Sequence, residues 1–218
     1  MGTEGLRERK KRQTRQRISD TALELFVERG FEQVTISEVA AAAEVSVNTV
    51  YNYFDTKEDL VLPPDEASPR RLAEIVRQRR PGESAAGAVL ARLREEVRDR
   101  ERRVGLTAGF GRVLEMMRAA PTLTARLEDL GRQMTDALAI VLAKETGTRQ
   151  DDPLPRTVAW HIGSLHALVM TEIGRRTSAG ERPDVIAGAV LELLDVIESL
   201  LGDRILRYAV REEPSCPE

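Results

Sequence analysis

The chain has 218 residues, with 33 Lys and Arg against 36 Asp and Glu, a net charge of −3, and 41% hydrophobic and 32% charged residues. That length holds one large domain or a small domain plus a larger one, and that balance excludes a low-hydrophobicity disordered chain. A single cysteine, Cys216, excludes an intrachain disulfide framework and a thiolate metal site. No apolar run approaches the ~20 residues of a membrane span, and Met1 to Leu6 has no signal-peptide or myristoylation pattern. A globular cytoplasmic protein without a membrane partner is expected.

The charge is unevenly placed. Residues 1–17 carry seven basic side chains, including Arg15, against two acids, a net +5 that leaves −8 on the rest. A basic arm on an acidic body reads either as one DNA-facing end or as a solvated, disordered tail. From Gln13 to Arg29, Ile18, Ala22, Leu25 and Phe26 share one stripe of a first helix, which Gly30 ends. Thr35-Ile36-Ser37-Glu38 is a capping box that opens a short second helix. Ser46 caps a third, Val47 to Phe54, and Thr56 with Asp59 begins a fourth. Pro63-Pro64 then breaks the chain, since proline lacks an amide donor and restricts the residue before it.

Beyond the break every segment has helical periodicity: 70–79, 84–102, 106–117, 123–144, about 155–176, and 183 to at least 201. No strand pattern and no internal repeat is found, so the fold class is all-α. The expected organisation is a DNA-binding domain over 1–62, a connector over 63–83, a helical bundle over 84–211 and a disordered tail over 212–218.

Two short helices joined by a tight turn form a helix-turn-helix pattern, whose second helix can enter the major groove. The detail is Val39-Ala40-x-x-Ala43-Glu44-Val45-Ser46-x-x-Thr49-Val50-Tyr51-x-Tyr53-Phe54-x-x-Lys57-Glu58-x-Leu60. With Leu25-Phe26, Gly30-Phe31 and Thr35 ahead of it, this stretch, from about Ile18 to Leu62, resembles the DNA-binding domain of the tetracycline-repressor (TetR) family. The resemblance implies an all-helical homodimeric repressor with a divergent C-terminal ligand domain, and contacts to backbone or bases from Thr35, Ser37, Tyr51, Tyr53 and Lys57.

The residues carry part of that reading themselves. Val47, Asn48 and Thr49 lie in the first turn of the third helix, where Asn48 can pair with adenine and Val47 or the Thr49 methyl can touch a thymine methyl. Tyr51 and Tyr53, two apart on a helix, point about 200° from one another and cannot serve one surface. Lys57 would begin the fourth helix, whose amides favour a phosphate. Glu44 stands where the family's turn usually has glycine, so its backbone must be left-handed or the turn must differ. Pro63-Pro64 departs from the family's continuous connecting helix.

In the C-terminal half, Phe110, Leu114, Met117, Met134, Leu138, Trp160 and His166 can line an adaptable pocket for a small, mainly apolar effector, or form ordinary core. The last helix is apolar on more than one face; with Gly163 and Ala167 in the helix before it, Val190, Leu194, Ile197 and Leu201 resemble the family's dimer interface, or are intramolecular core. His161 and His166, five apart, cannot chelate one metal from a regular helix, and no catalytic constellation is present, so no cofactor, metal or enzyme activity is expected. Two function classes remain: a ligand-responsive DNA-binding regulator, or a dimeric helical sensor or adaptor that does not control DNA.

Overall fold

The computed structural model describes residues 5–62, 67–107, 109–149 and 152–212. Pro63-Pro64, Cys216 and nearly all of the expected tail lie outside the described residues. Those described form helices α1 Leu6–Arg29, α2 Ile36–Ala42, α3 Val47–Tyr51, α4 Arg71–Gln78, α5 Ala85–Arg98, α6 Phe110–Ala119, α7 Pro121–Glu145, α8 Pro153–Ser178, α9 Pro183–Leu200 and α10 Asp203–Leu206, with no strand among them. The all-α class is as expected.

The chain divides into two compact units. One holds residues up to Ala67 together with Arg112–Leu127; the other holds Ser68–Gly111 together with Glu128 onward. Residues 68–83, expected as part of a connector, belong to the second unit, where α4 buries Leu72, Ala73 and Val76.

In the first unit Ile18, Ala22 and Phe26 of α1 are fully buried, joined by Val39, Ala40, Val50, Phe54 and Leu60. Met116, Met117, Ala120 and Leu123, from the end of α6 and the start of α7, complete this core. The buried Ser19 hydroxyl donates to the Leu60 carbonyl oxygen at 2.8 Å, tying α1 to the end of the domain. Gly30 ends α1 at a φ of 90°, open to glycine without steric cost.

Three expectations for this unit are corrected. The first helix starts at Leu6, not Gln13, so the described basic arm is a continuous helical extension of α1. The third helix ends at Tyr51 rather than Phe54. The expected fourth helix is only a 3₁₀ turn over Glu58–Leu60, although Thr56 and Asp59 do exchange their capping bonds. Capping chemistry satisfies a turn as readily as a helix start; the residues C-terminal to the cap decide which one forms.

In the second unit α9 packs against α8 and α5, and α4 against α5. Ser84 caps α5 and Asp152 caps α8, each accepting a backbone amide two or three residues on. The buried Arg79 guanidinium donates to the Val76, Glu83 and Ala209 carbonyls and pairs with Glu145 at 2.7 Å, fixing α4, the α5 entry, α7 and the C-terminal segment at one point. The last long helix stops at Leu200, and Gly202 caps the separate one-turn α10.

Candidate nucleic-acid interface

Between α2 and α3 the backbone turns at Glu44, whose φ of 55° is left-handed, the first of the two alternatives its sequence position left open. The Val45 amide donates to the Ala40 carbonyl at 2.9 Å, closing the turn. Thr35 and Glu38 form the complete capping box of α2: the Glu38 amide donates to Thr35 Oγ1 at 3.2 Å, and the Thr35 amide to Glu38 Oε2 at 2.8 Å. Arg29 adds a 2.6 Å ion pair to the same carboxylate. The Thr35 amide first, then Arg29, hold the Glu38 carboxyl down to about 2, so its charge is permanent and compensated.

Ser46 Oγ accepts from the Thr49 amide at 3.0 Å and shares a hydrogen bond with Thr49 Oγ1 at 2.7 Å. The Thr49 hydroxyl is thereby tied to the cap. Val50 is buried, whereas Val47 and Asn48 are exposed and Tyr51 is 52% exposed, which leaves an outward arc of α3. Asn52, the exposed C-cap residue one turn after Asn48, joins this arc. Sequence reasoning missed it; the i, i+4 spacing from Asn48 was the available signal.

Other expected DNA-contact residues are differently committed. Ser37 is exposed on α2. Arg15 is half-buried, its guanidinium 5.3 Å from the Phe54 ring centre. Tyr53 packs partly against the core while Tyr51 does not, so the two tyrosines do serve different surfaces. The Lys57 ammonium donates to the Phe31 carbonyl oxygen and lies over the Phe31 ring. Its expected setting, the start of a fourth α-helix, is absent, and with it the helix-dipole reason for a phosphate there. Arg7, Arg9, Lys10, Lys11, Arg12 and Arg17 all project from the helical extension into solvent.

The expected pocket residues are divided between the two units. Met117 belongs to the core of the first unit; Met134, Leu138 and His166 are buried in the second. Leu114 is half-buried, and Phe110 lays its ring against Gly105, leaving no room for a Cβ there. Trp160 is corrected outright: it is 61% exposed on α8, edge-to-face with His161. Helical spacing placed it one step off the inward stripe of Val158, Ala159 and Ile162.

The expected dimer residues also need correction. Val190 and Leu194 are fully buried and Ile197 nearly so within the protomer, because this face of α9 meets α8 and α5. Gly163 is covered by Thr135 of α7, on whose hydroxyl an added Cβ would collide. Leu201 packs partly into the same core. Ala167 is exposed, beside Leu168 and Trp160 on the outer side of α8, and α9 exposes Val185, Val196 and Leu200. Those three lie within about 60° around the helix at 100° per residue. Among the described residues no helix is long and apolar enough to cross a membrane, and no group of His, Cys, Asp or Glu is placed to hold a metal ion.

A short capped helix presented beyond a tight turn, with a basic helix alongside it in sequence, defines a helix-turn-helix DNA-binding protein. Residues 18–62 match the model of the bacterial regulatory proteins of the tetR family. The chain is 31% identical over 172 residues to the transcriptional regulator TcmR of Streptomyces glaucescens, covering 77% of this chain and 76% of that protein. It is 44% identical to the regulator LuxR of Vibrio harveyi over 64 residues, 29% of this chain and 28% of that one. The fold is shared with the crystal structure of NalD, the secondary repressor of the MexAB-OprM multidrug efflux pump in Pseudomonas aeruginosa, at a TM-score of 0.53 and 20% identity over 85% of this chain and 96% of that one. The chain belongs to the TetR family. It is a DNA-binding transcriptional regulator and not an enzyme, which decides against the adaptor alternative.

Proposed function

We propose that the protein is a cytoplasmic repressor whose homodimer holds an approximately palindromic operator and is released by a small molecule with a mainly apolar body. The observation that carries this reading is the outward arc of Val47, Asn48 and Tyr51 on a helix whose other side is locked into the core. Asn48 is its base reader, pairing with adenine N6 and N7; Val47 and the Thr49 methyl meet thymine methyls. Ser37, Thr35, Tyr51, Tyr53, Lys57 and Arg15 flank this arc as candidate backbone contacts. The helical arm supplies phosphate neutralisation.

Dimerisation uses the outer stripe of Trp160, Ala167 and Leu168 on α8 with Val185, Val196 and Leu200 on α9, which places two copies of α3 for major-groove turns ~34–36 Å apart. The effector is held among the buried side chains of the second unit. Helices α6 and α7 begin and end in different units, so an effector that repacks their second-unit turns also moves Met116, Met117 and Leu123 in the DNA-binding core. An effector acts only by its differential affinity for two conformations, and a coupling of ~1–3 kcal/mol gives 5- to 150-fold release.

Selection of duplex fragments by the purified protein, followed by titration at several salt concentrations, tests the reading. A palindromic consensus and a steep salt slope are expected. Equal affinity for selected and random DNA overturns it.

A further inference from the structure

The first third of α1 forms a surface that the core of its unit does not use. Ile18, Ala22 and Phe26 are fully buried, but from Arg7 to Arg17 the same helix holds seven basic side chains, one acid, Glu8, and no apolar group. Residues 7–13 are exposed, and no described residue before Ile18 belongs to the apolar core. A helical stretch that is polar all round has no packing to hold it, and one this short is marginal by itself in water. It is held by continuity with the buried turns that follow it.

Its charges are ordered. Arg7, Lys11 and Arg15 follow one another at i, i+4 and i+8, a row that runs on into the buried Ser19. Arg12 is set about 60° from Arg15, so all four fall within about 140° of the helix at ~100° per residue. Like charges one turn apart repel, and a line of anions alongside removes that repulsion. Arg15 marks where the row leaves the core: its guanidinium lies 5.3 Å from the ring centre of Phe54, three residues after the exposed Tyr51 of α3. From that point, beside the end of the recognition helix, the row continues to Arg7, about 12 Å at ~1.5 Å per residue. One DNA strand carries a phosphate every ~3.4 Å, so this length faces about three or four of them.

The helical state of the arm decides how it can meet DNA. An α-helix with its side chains is ~10–12 Å across, whereas the minor groove is only ~6 Å wide. A helical arm therefore lies on the phosphate ridge and does not thread that groove as an extended tail does. We propose that it is a second DNA-contact surface, whose Arg7 and Lys11, flanked by Arg12, engage the sugar-phosphate backbone just outside each half-site without reading its sequence. This deepens the operator reading above and rests on it: α3 chooses the site, and the arm requires duplex beyond it.

The test uses the full chain and duplexes carrying the selected operator, either trimmed flush or extended on both sides by about six base pairs of A·T or of G·C. The wild type is expected to bind both extended duplexes equally, and about tenfold or more tighter than the trimmed one. Arg7→Gln with Lys11→Gln is expected to remove the gain from the flanks and to flatten the log–log salt slope by about 3–4 for two contacts in each half of a dimer. Gln13→Pro keeps every charge but breaks the helix between the arm and the core, and it too is expected to lose the gain, while Gln13→Ala keeps it. All three positions are exposed and outside the core, so the rest of the domain is left to fold as before. A marked preference for A·T flanks, a gain that survives Gln13→Pro, or no gain in the wild type overturns the proposal. Specific binding without a flank effect sinks the arm surface alone, whereas equal binding of selected and random DNA on every duplex sinks the operator reading beneath it.

Discussion

The Lys57 ammonium donates to the Phe31 carbonyl oxygen at 2.5 Å and lies 4.4 Å from the centre of that residue's ring. It also lies 5.6 Å from the Phe26 ring, which meets Phe31 edge-on at 4.9 Å. One cation therefore clamps the segment after α1 to the turn after α3. A residue that reads as a phosphate contact in sequence is also a structural pin of the DNA-binding core.

Lys57→Ala should accordingly destabilise the N-terminal unit by about 1–2 kcal/mol, from one charge-assisted hydrogen bond and partly exposed cation–π contacts. Denaturant unfolding measures this. If its ammonium also reaches a phosphate, the salt slope of DNA binding falls by about one ion; a variant with wild-type stability and a flattened slope would make Lys57 a DNA contact alone.

Glu44 holds a left-handed backbone that costs an L-residue roughly 1–2 kcal/mol. Glycine removes that cost but adds ~0.5–1 kcal/mol of unfolded-state entropy, so Glu44→Gly should be neutral to slightly stabilising. Glu44→Val, β-branched, should lower stability by more than about 1 kcal/mol. Thermal melts in which both variants behave alike would contradict the turn geometry.

The two sides of α9 should respond oppositely to charge. Val196→Arg, at an exposed position, should yield a folded monomer with weakened operator binding. Leu194→Arg, at a position with no exposure, should unfold the second unit at a cost of ~4 kcal/mol or more. Light scattering and circular dichroism together distinguish the outcomes, and a dimer that survives Val196→Arg and Leu200→Arg would remove the outer stripe from the interface.

His166 should make stability fall in mild acid. Its pKa drops from 6.5 to about 4 on folding, so below 6.5 the unfolded chain binds the proton better than the folded one. The neutral ring's contribution is complete above pH 6.5 and is lost as pH falls towards 4, by up to about 3 kcal/mol. His166→Gln should lose less stability than the wild type across that window; parallel curves would show that the ring is not held neutral by the fold.

Asn48→Ala should change the selected base at one position of each half-site at a cost of ~1–3 kcal/mol, while random DNA is bound as before. An unchanged consensus would pass the reading role to its neighbours on the arc, Val47, Tyr51 or Asn52.

Local chemistry made the DNA-binding end legible. The Thr35–Glu38 box and the Ser46 cap each depend on residues within four positions of one another, and each is present as the spacing requires; at Glu44 the sequence left two turn geometries open, and the left-handed one is found. The stripe of Ile18, Ala22 and Phe26 likewise fixed the inward face of α1, because periodicity alone dictates which side of a helix can leave water. The length of helix beyond a cap, and the choice of which of two apolar faces is covered, are not local. Thr56 and Asp59 cap only a 3₁₀ turn; α9, apolar on several sides, buries Leu194 and exposes Leu200 because α8 and α5 cover one face. The same holds for Lys57 and Arg71: their charges are plain in the sequence, but only the tertiary structure set one on a carbonyl and two rings and left the other buried with a donor to spare. A side chain's partner is decided by which distant segment folds over it, and spacing along the chain carries no record of that.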